Sequence, residues 1–154
     1  KGCVVLRNDA IKKVEDYISL NKTFLLINSE VNWLNEEDYQ KEKDFAVNWL
    51  NSWKSQWEAQ DIDSYIKNYS EEFSAPQFNK KSWYAHKTKL KGVYKYVKVN
   101  LSSPQIYHLK NQYLFQFIQT YESDGHKDTG LKNLYVIKEG NELKIQREDW
   151  FELK

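Results

Sequence analysis

The feature that most constrains the fold of this chain is a change of hydrophobic period close to Tyr96. Between Phe45 and Val93 the apolar residues recur at helical spacing, and from "YVKVNL" onward they alternate. Helices first and strands second predict an α+β arrangement, with helices covering one face of a curved antiparallel sheet. Phe45, Trp49, Trp53 and Trp57 fall at steps of four with Ala46 and Leu50 beside them, the stripe of a long helix packed on a core. "DIDSYIKNYSEEF" reads as a short second helix capped by Asp61 or Asp63, with Ile62, Tyr65, Ile66 and Tyr69 inward. "NKKSWYAHKTKLKGVY" reads as a third, presenting Trp83, Leu90 and Val93 and ending near Gly92. "YVKVNL", "QIYHLKN", "QYLFQFIQTYES", "LKNLYVIKEG" and "NELKIQREDWFEL" are strand-like, and "SDGHKDTG" and "KEGNE" supply turns for an antiparallel meander.

Ahead of the helices stands "KGCVVLRNDAIKKVEDYISLNKTFLLI". Residues 3 to 6 predict a strand or buried turn, Asn8 or Asp9 caps a helix carrying Ile11, Val14 and Ile18, and Asn21 to Ile27 predict a buried strand. So short a piece cannot close a core alone and asks for the rest of a domain. The polar, acidic stretch that follows suits a linker, with Val31, Trp33 and Leu34 available to dock on a neighbour. The expected organisation is 1–27 as the end of one domain, 28–40 as linker and 41–154 as a second domain.

Composition narrows the function. With 23 basic and 22 acidic residues the net charge is +1, so no overall field recruits nucleic acid or an anionic membrane. Lysines between Lys80 and Lys98 interleave with aromatics, the makings of a single-strand groove, but a lysine run of this kind reads better as a solvated helix face. One cysteine excludes an internal disulfide, and His86, His108 and His126 lack metal-ligand spacing, so neither a metal nor a cofactor is expected. No apolar run is long enough for a membrane span. The chain contains no methionine, and its natural start is expected upstream.

On the long strand Tyr113, Phe115, Phe117, Gln119 and Tyr121 share one face, and Lys132 and Glu148 are charged residues inside later apolar runs. Glu148 near Tyr121 could be a general base with a raised pKa; the favoured alternative is a cross-strand ion pair with Lys132, or two groups at the sheet rim. Tyr65, Tyr69 and Trp83 read as core or pocket lining, and with Gln119, Tyr121, Lys132 and Glu148 they are the candidate residues of a pocket.

The order and spacing of the Trp-rich helix, "DIDSYIKNY", "YLFQFIQTYES" and "LKNLYVIKEGNELKIQREDW" resemble the NTF2-like cone, a fold that hosts isomerases, dehydratases and binding modules alike. The opening stretch, with Gly2-Cys3 before a strand, a capped helix and a strand, resembles the end of an L,D-transpeptidase domain of the YkuD type. Together they resemble peptidoglycan L,D-carboxypeptidases that set the shape of curved and helical bacteria. That resemblance implies Cys3 as nucleophile, Gly2 at a main-chain oxyanion site, a catalytic histidine upstream of this chain, and a periplasmic location. It also implies peptidoglycan stem peptides and glycan as partners, and a homodimer is compatible with it. Many such proteins carry arginine two residues after the cysteine; here that position is Val5, and Arg7 becomes the candidate contact to a substrate carboxylate. The alternative reading is a stand-alone NTF2-like binding module or isomerase-type enzyme.

Overall fold

A computed structural model describes residues 5–19, 23, 27 and 30–153, which fall into two compact units, Lys1–Trp33 and Leu34–Lys154. In the first unit, helix α1 spans Asn8–Glu15. Its N-cap is Arg7, whose side chain makes no capping bond, rather than Asn8 or Asp9. Arg7 Nε instead donates to Asp9 Oδ1 at 3.2 Å on the surface. Ile11 and Val14 lie on α1, but Ile18, expected on the same face, falls beyond its end, and α1 buries none of its residues. Val5 and Leu6 are irregular and exposed, so that part of the 3-to-6 stretch is no strand. Gly2, Cys3 and most of Asn21 to Ile27 lie outside the described residues.

The second unit is built on α2, Glu36–Glu58, which begins inside the stretch read as linker because Asn35 caps it, accepting from the Asp38 amide at 2.8 Å. Ala46, Leu50, Trp53 and Trp57 are buried, Trp49 packs at the core margin, and Phe45, at the start of the stripe, is partly exposed. Several bonds fasten α2 to the sheet, among them Trp49 Nε1 donating to the Leu143 carbonyl at 3.1 Å, the Val99 amide donating to Glu58 Oε1 at 2.8 Å and the Tyr113 hydroxyl donating to Glu42 Oε2 at 3.0 Å. Helix α3, Ile62–Tyr65, is capped by Asp61, one of the two caps the sequence offers, the Ser64 amide donating to its side chain.

The second helix ends earlier than its pattern implied. Asn68 Nδ2 donates to the Tyr65 carbonyl at 3.0 Å and to Gln56 Oε1 at 2.6 Å, satisfying a terminal carbonyl and stopping the helix. Tyr69 therefore opens strand β1, Tyr69–Ala75, instead of lying on a helix face. A short β2, Phe78–Asn79, returns antiparallel to it. Asn79 and Ser82 form a capping box for α4, Lys80–Lys91, which closes at Gly92. Val93 beyond it is exposed.

Strands β3 (Val97–Leu109), β4 (Gln112–Ser123), β5 (Lys127–Glu139) and β6 (Glu142–Glu152) form the expected meander. The six strands run β2-β1-β6-β5-β4-β3, and β1 pairs parallel to β6, so the sheet is mixed and not wholly antiparallel. The two segments "YVKVNL" and "QIYHLKN" are one edge strand interrupted by a bulge, where Ser103 has φ 52° ahead of Pro104. Proline is tolerated there because an edge strand has no partner on one side to receive an amide proton. Gly130 in β5 is required by close packing, since a Cβ would sit 2.6 Å from the Trp150 ring. The core lies between α2 and the concave face, where Trp53, Tyr65, Tyr69, Phe115, Phe117 and Leu134 are fully buried.

Candidate functional site

The concave face is the one carrying Phe115, Phe117, Gln119 and Tyr121, which the sequence grouped without assigning a side. Phe117 packs on Trp53 with ring centroids 6.2 Å apart, and Tyr121 stacks on Trp57 at 5.6 Å. Toward the end of β4 Gln119 interrupts the row of rings between Phe117 and Tyr121, and a cavity of about 410 Å³ opens between the sheet and α4. Trp57, Trp83, Lys87, Gln119, Tyr121, Asp128, Lys132 and Trp150 are among its walls. A second hollow of about 380 Å³, between the first half of α2 and β3, is walled largely by apolar groups such as Leu34, Ala46, Val47 and Ile106. Only the first brings buried charges together.

Of the seven expected pocket residues, Trp83, Gln119, Tyr121 and Lys132 line the cavity. Tyr65, Tyr69 and Glu148 lie buried and are linked to it through Lys132. Lys132 Nζ donates to Glu148 Oε2 at 2.7 Å, and the Tyr69 hydroxyl donates to Glu148 Oε1 at 2.6 Å. Trp53 Nε1 donates to the Tyr69 oxygen at 3.3 Å, and the Tyr69 and Tyr65 hydroxyls are hydrogen-bonded to each other. The expected cross-strand ion pair thus exists, but within the fold and not at the sheet rim. Tyr121 is not the partner of Glu148.

Burial is the largest single influence on Glu148 and opposes its ionisation, yet Lys132, the Tyr69 hydroxyl and the charge of Lys87 outweigh it, holding the carboxyl below its ordinary value. The raised pKa wanted of a general base is absent. Burial, with the Glu148 charge next, pushes Tyr65 and Tyr69 well above the ordinary phenol range, so both remain hydroxyls. Glu148 has both oxygens engaged and a weakened affinity for protons, which suits a structural anion better than a base.

The opposite wall was missed by sequence reasoning. Lys87, placed in a solvated lysine run, is 6 % exposed. Its ammonium lies 4.0 Å from the Trp57 ring centroid, 4.5 Å from Trp83 and 5.5 Å from Tyr65. Among the described residues it has no hydrogen-bonding or carboxylate partner at bonding distance. Burial pulls its pKa down to about 7, against the opposing attraction of Glu148. A signal was present: Lys87 sits four residues after Trp83 and three before Leu90, on the stripe the pattern turned inward. Asp128 was missed as well. Its Oδ2 accepts from or shares a proton with His126 Nε2 at 2.9 Å, while its Oδ1 is buried without a partner. Gln119 Oε1 and Trp83 Nε1 are likewise buried and unpaired. Among the described residues no three carboxylate, histidine or cysteine side chains gather as a metal site, and no helix is long and apolar enough to cross a membrane.

Comparison with known proteins agrees with this geometry. The structure is similar to that of Bdellovibrio bacteriovorus Bd1075, with 45 % identity over 100 % of this chain and 56 % of that one, at a TM-score of 0.91. Pgp2 of Campylobacter jejuni, a helical cell-shape-determining protein, shares 22 % identity over 96 % of this chain and 53 % of its own, at a TM-score of 0.74. An NTF2-like protein of unknown function from Pseudomonas putida KT2440 covers 77 % of this chain and 88 % of its own, at 12 % identity and a TM-score of 0.61. The last two show the fold alone. This chain therefore spans about half the length of Bd1075 and of Pgp2. No curated protein matches the sequence. Residues 46–149 match the Cds6 C-terminal NTF2-like domain, and the chain belongs to that family.

Proposed function

We propose that this chain is the C-terminal part of a peptidoglycan L,D-carboxypeptidase, in which the NTF2-like domain binds substrate and Cys3, at the end of a YkuD-type domain, is the nucleophile. The observation that carries the reading is the 45 % identity to Bd1075 along the whole chain, residues 1–33 included. A longer relative thus matches residues 1–33 as well as the cone, which supports reading the two as parts of one protein. Among the structural neighbours is a protein described as determining helical cell shape.

The Cys3 thiolate attacks the carbonyl joining the third residue of a stem tetrapeptide to its terminal D-alanine. The C–N bond breaks, D-alanine leaves with a proton, and a thioester remains. Water then cleaves the thioester, giving a tripeptide carboxylate and restoring the thiolate; an amine from another stem would give a cross-link instead. A thiol of pKa about 8.5 needs an activating base or positive neighbour, which this reading places in the upstream part of the domain. This chain alone is then inactive, and the protein works in the periplasm. The NTF2-like domain is read as a binding module and not an isomerase because Glu148 is ion-paired and held below its ordinary pKa.

The test is mass spectrometry of disaccharide tetrapeptide incubated with the protein extended upstream to its natural start. Loss of D-alanine that disappears in Cys3→Ala supports the reading. Turnover retained in Cys3→Ala, or none in the parent, overturns it.

A further inference from the structure

The second hollow plays no part in the chemistry proposed for Cys3. It lies wholly within the second unit, between the first half of α2 and β3, with a volume of about 380 Å³. Ala46, Val47, Pro104 and Ile106 make its body apolar. One wall is flat, because the rings of His108 and Tyr113 stack with centroids 4.1 Å apart and planes 5° from parallel. Glu42 stands at that wall. Its Oε2 accepts from the Tyr113 hydroxyl at 3.0 Å and faces His108 Nδ1 at 3.5 Å, whereas its Oε1 has no partner among the described residues. A carboxylate oxygen left over at the edge of an apolar slot suits a donor carried by an apolar body. Among side chains, tryptophan alone pairs a large, flat ring system with a single N–H donor and no acceptor.

The chain carries such a group unburied. Trp33 is 91 % exposed, while the other five tryptophans are buried or half-buried. Val31, Leu34 and Tyr39 near it in sequence are exposed as well, and a run of bare apolar groups marks an interaction site where a single one does not. Knob and socket adjoin along the chain, since Leu34, the residue after Trp33, lines the hollow. Their charges are complementary too. Glu30 on the knob segment, Lys43 on the rim and Lys110, whose carbonyl meets His108 Nε2, form no ion pairs among the described residues. A two-fold pair sets the same patch of both copies face to face, so a knob that adjoins its own socket is delivered to the partner's, reciprocally. We infer that the hollow between α2 and β3 is the socket of a homodimer: Trp33 of each copy enters it in the other, the indole N–H donating to Glu42 Oε1 and Glu30 meeting Lys43 or Lys110. Two indoles of about 150–250 Å² each, with the walls that receive them and the exposed Val31, Leu34 and Tyr39 of both copies, reach the low end of the roughly 1,200–2,000 Å² of a specific interface. An interface of that size with two anchors corresponds to a micromolar dimer.

The test is sedimentation velocity on the protein extended upstream to its natural start, at about 1 to 100 μM. A dimer is expected to form across this range. Trp33→Ser removes the knob and Val47→Arg fills the socket, and each should weaken association at least about thirtyfold, the effect of losing a central buried anchor. Trp33→Ser alters an exposed residue, so its folding is not at risk. The two variants are complementary, one keeping its socket and the other its tryptophan. Mixed in equal amounts they should associate more tightly than either does alone, through the one knob and socket left intact.

A protein that stays monomeric at about 100 μM overturns the inference. Shielding of Trp33 from acrylamide in that monomer would give the hollow an occupant in the same polypeptide instead. A dimer untouched by Trp33→Ser overturns it as well, and so does one weakened by Trp33→Ser but not by Val47→Arg, which would seat the indole elsewhere. A mixture of the variants that associates no more tightly than its parts has the same force. D-alanine release decides only the role of Cys3, so the failure of either proposal leaves the other standing.

Discussion

The two walls of one cavity each bury a lysine, and they do so in opposite ways. On the sheet wall Lys132 is neutralised by Glu148 at 2.7 Å, whose second oxygen is taken by Tyr69. On the helix wall Lys87 meets only the faces of Trp57, Trp83 and Tyr65. Ring faces attract a cation by about 0.5 to 2 kcal/mol each, too little to replace lost hydration. A paired buried charge is structure, whereas an unpaired one is a standing cost that a ligand can remove. The difference predicts opposite responses to substitution.

The largest effect is expected at the closed wall. Glu148→Gln leaves Lys132 buried without a counter-charge and should lower stability in urea unfolding by about 3–5 kcal/mol. At the open wall, Lys87→Met should raise stability at pH 7 by about 2 kcal/mol, because it deletes a desolvated ammonium and keeps the ring packing. If Lys87→Met destabilises as Glu148→Gln does, the two walls are alike and the comparison fails. Replacing Lys132 and Glu148 together by methionine should return stability to within about 1 kcal/mol of the parent, since no isolated charge remains. A double variant as weak as Glu148→Gln would mean that the pair itself, and not its imbalance, carries the stability.

The walls should also separate by pH. Lys87 titrates near 7 in the folded protein against 10.5 as its ordinary value, so between those limits the unfolded chain binds more protons and stability rises with pH. The groups acting on it are Glu148 and Asp128, which favour its charge, Lys132, which opposes it, and burial, which dominates. The adjacent His86 is itself lowered, by burial first and then by Lys87, and adds no charge above pH 7. Lys87→Met should erase the slope. Glu148 is depressed below 4.5, so its contribution is present above that value and is lost as pH falls through the folded one.

Much of this was written in the sequence. The aromatic stripe of α2, the Asp61 cap, the meander and the Lys132–Glu148 pairing follow from spacing and alternation, which are local and periodic. Other features are decided by partners far along the chain. Tyr69 belongs to a strand because β6 receives it and Asn68 stops the helix with Gln56 in reach, neither of which its neighbours specify. Lys87 looked like one more solvated lysine because a residue's name does not tell which way its helix is rolled. Only the docking of α4 over the sheet turned it inward among rings contributed by α2, α3 and α4 itself. The sequence by itself determined which elements form and in what order. The tertiary structure decided which charges are paired and which meet only aromatic rings, because pairing depends on distances between residues that are remote in sequence.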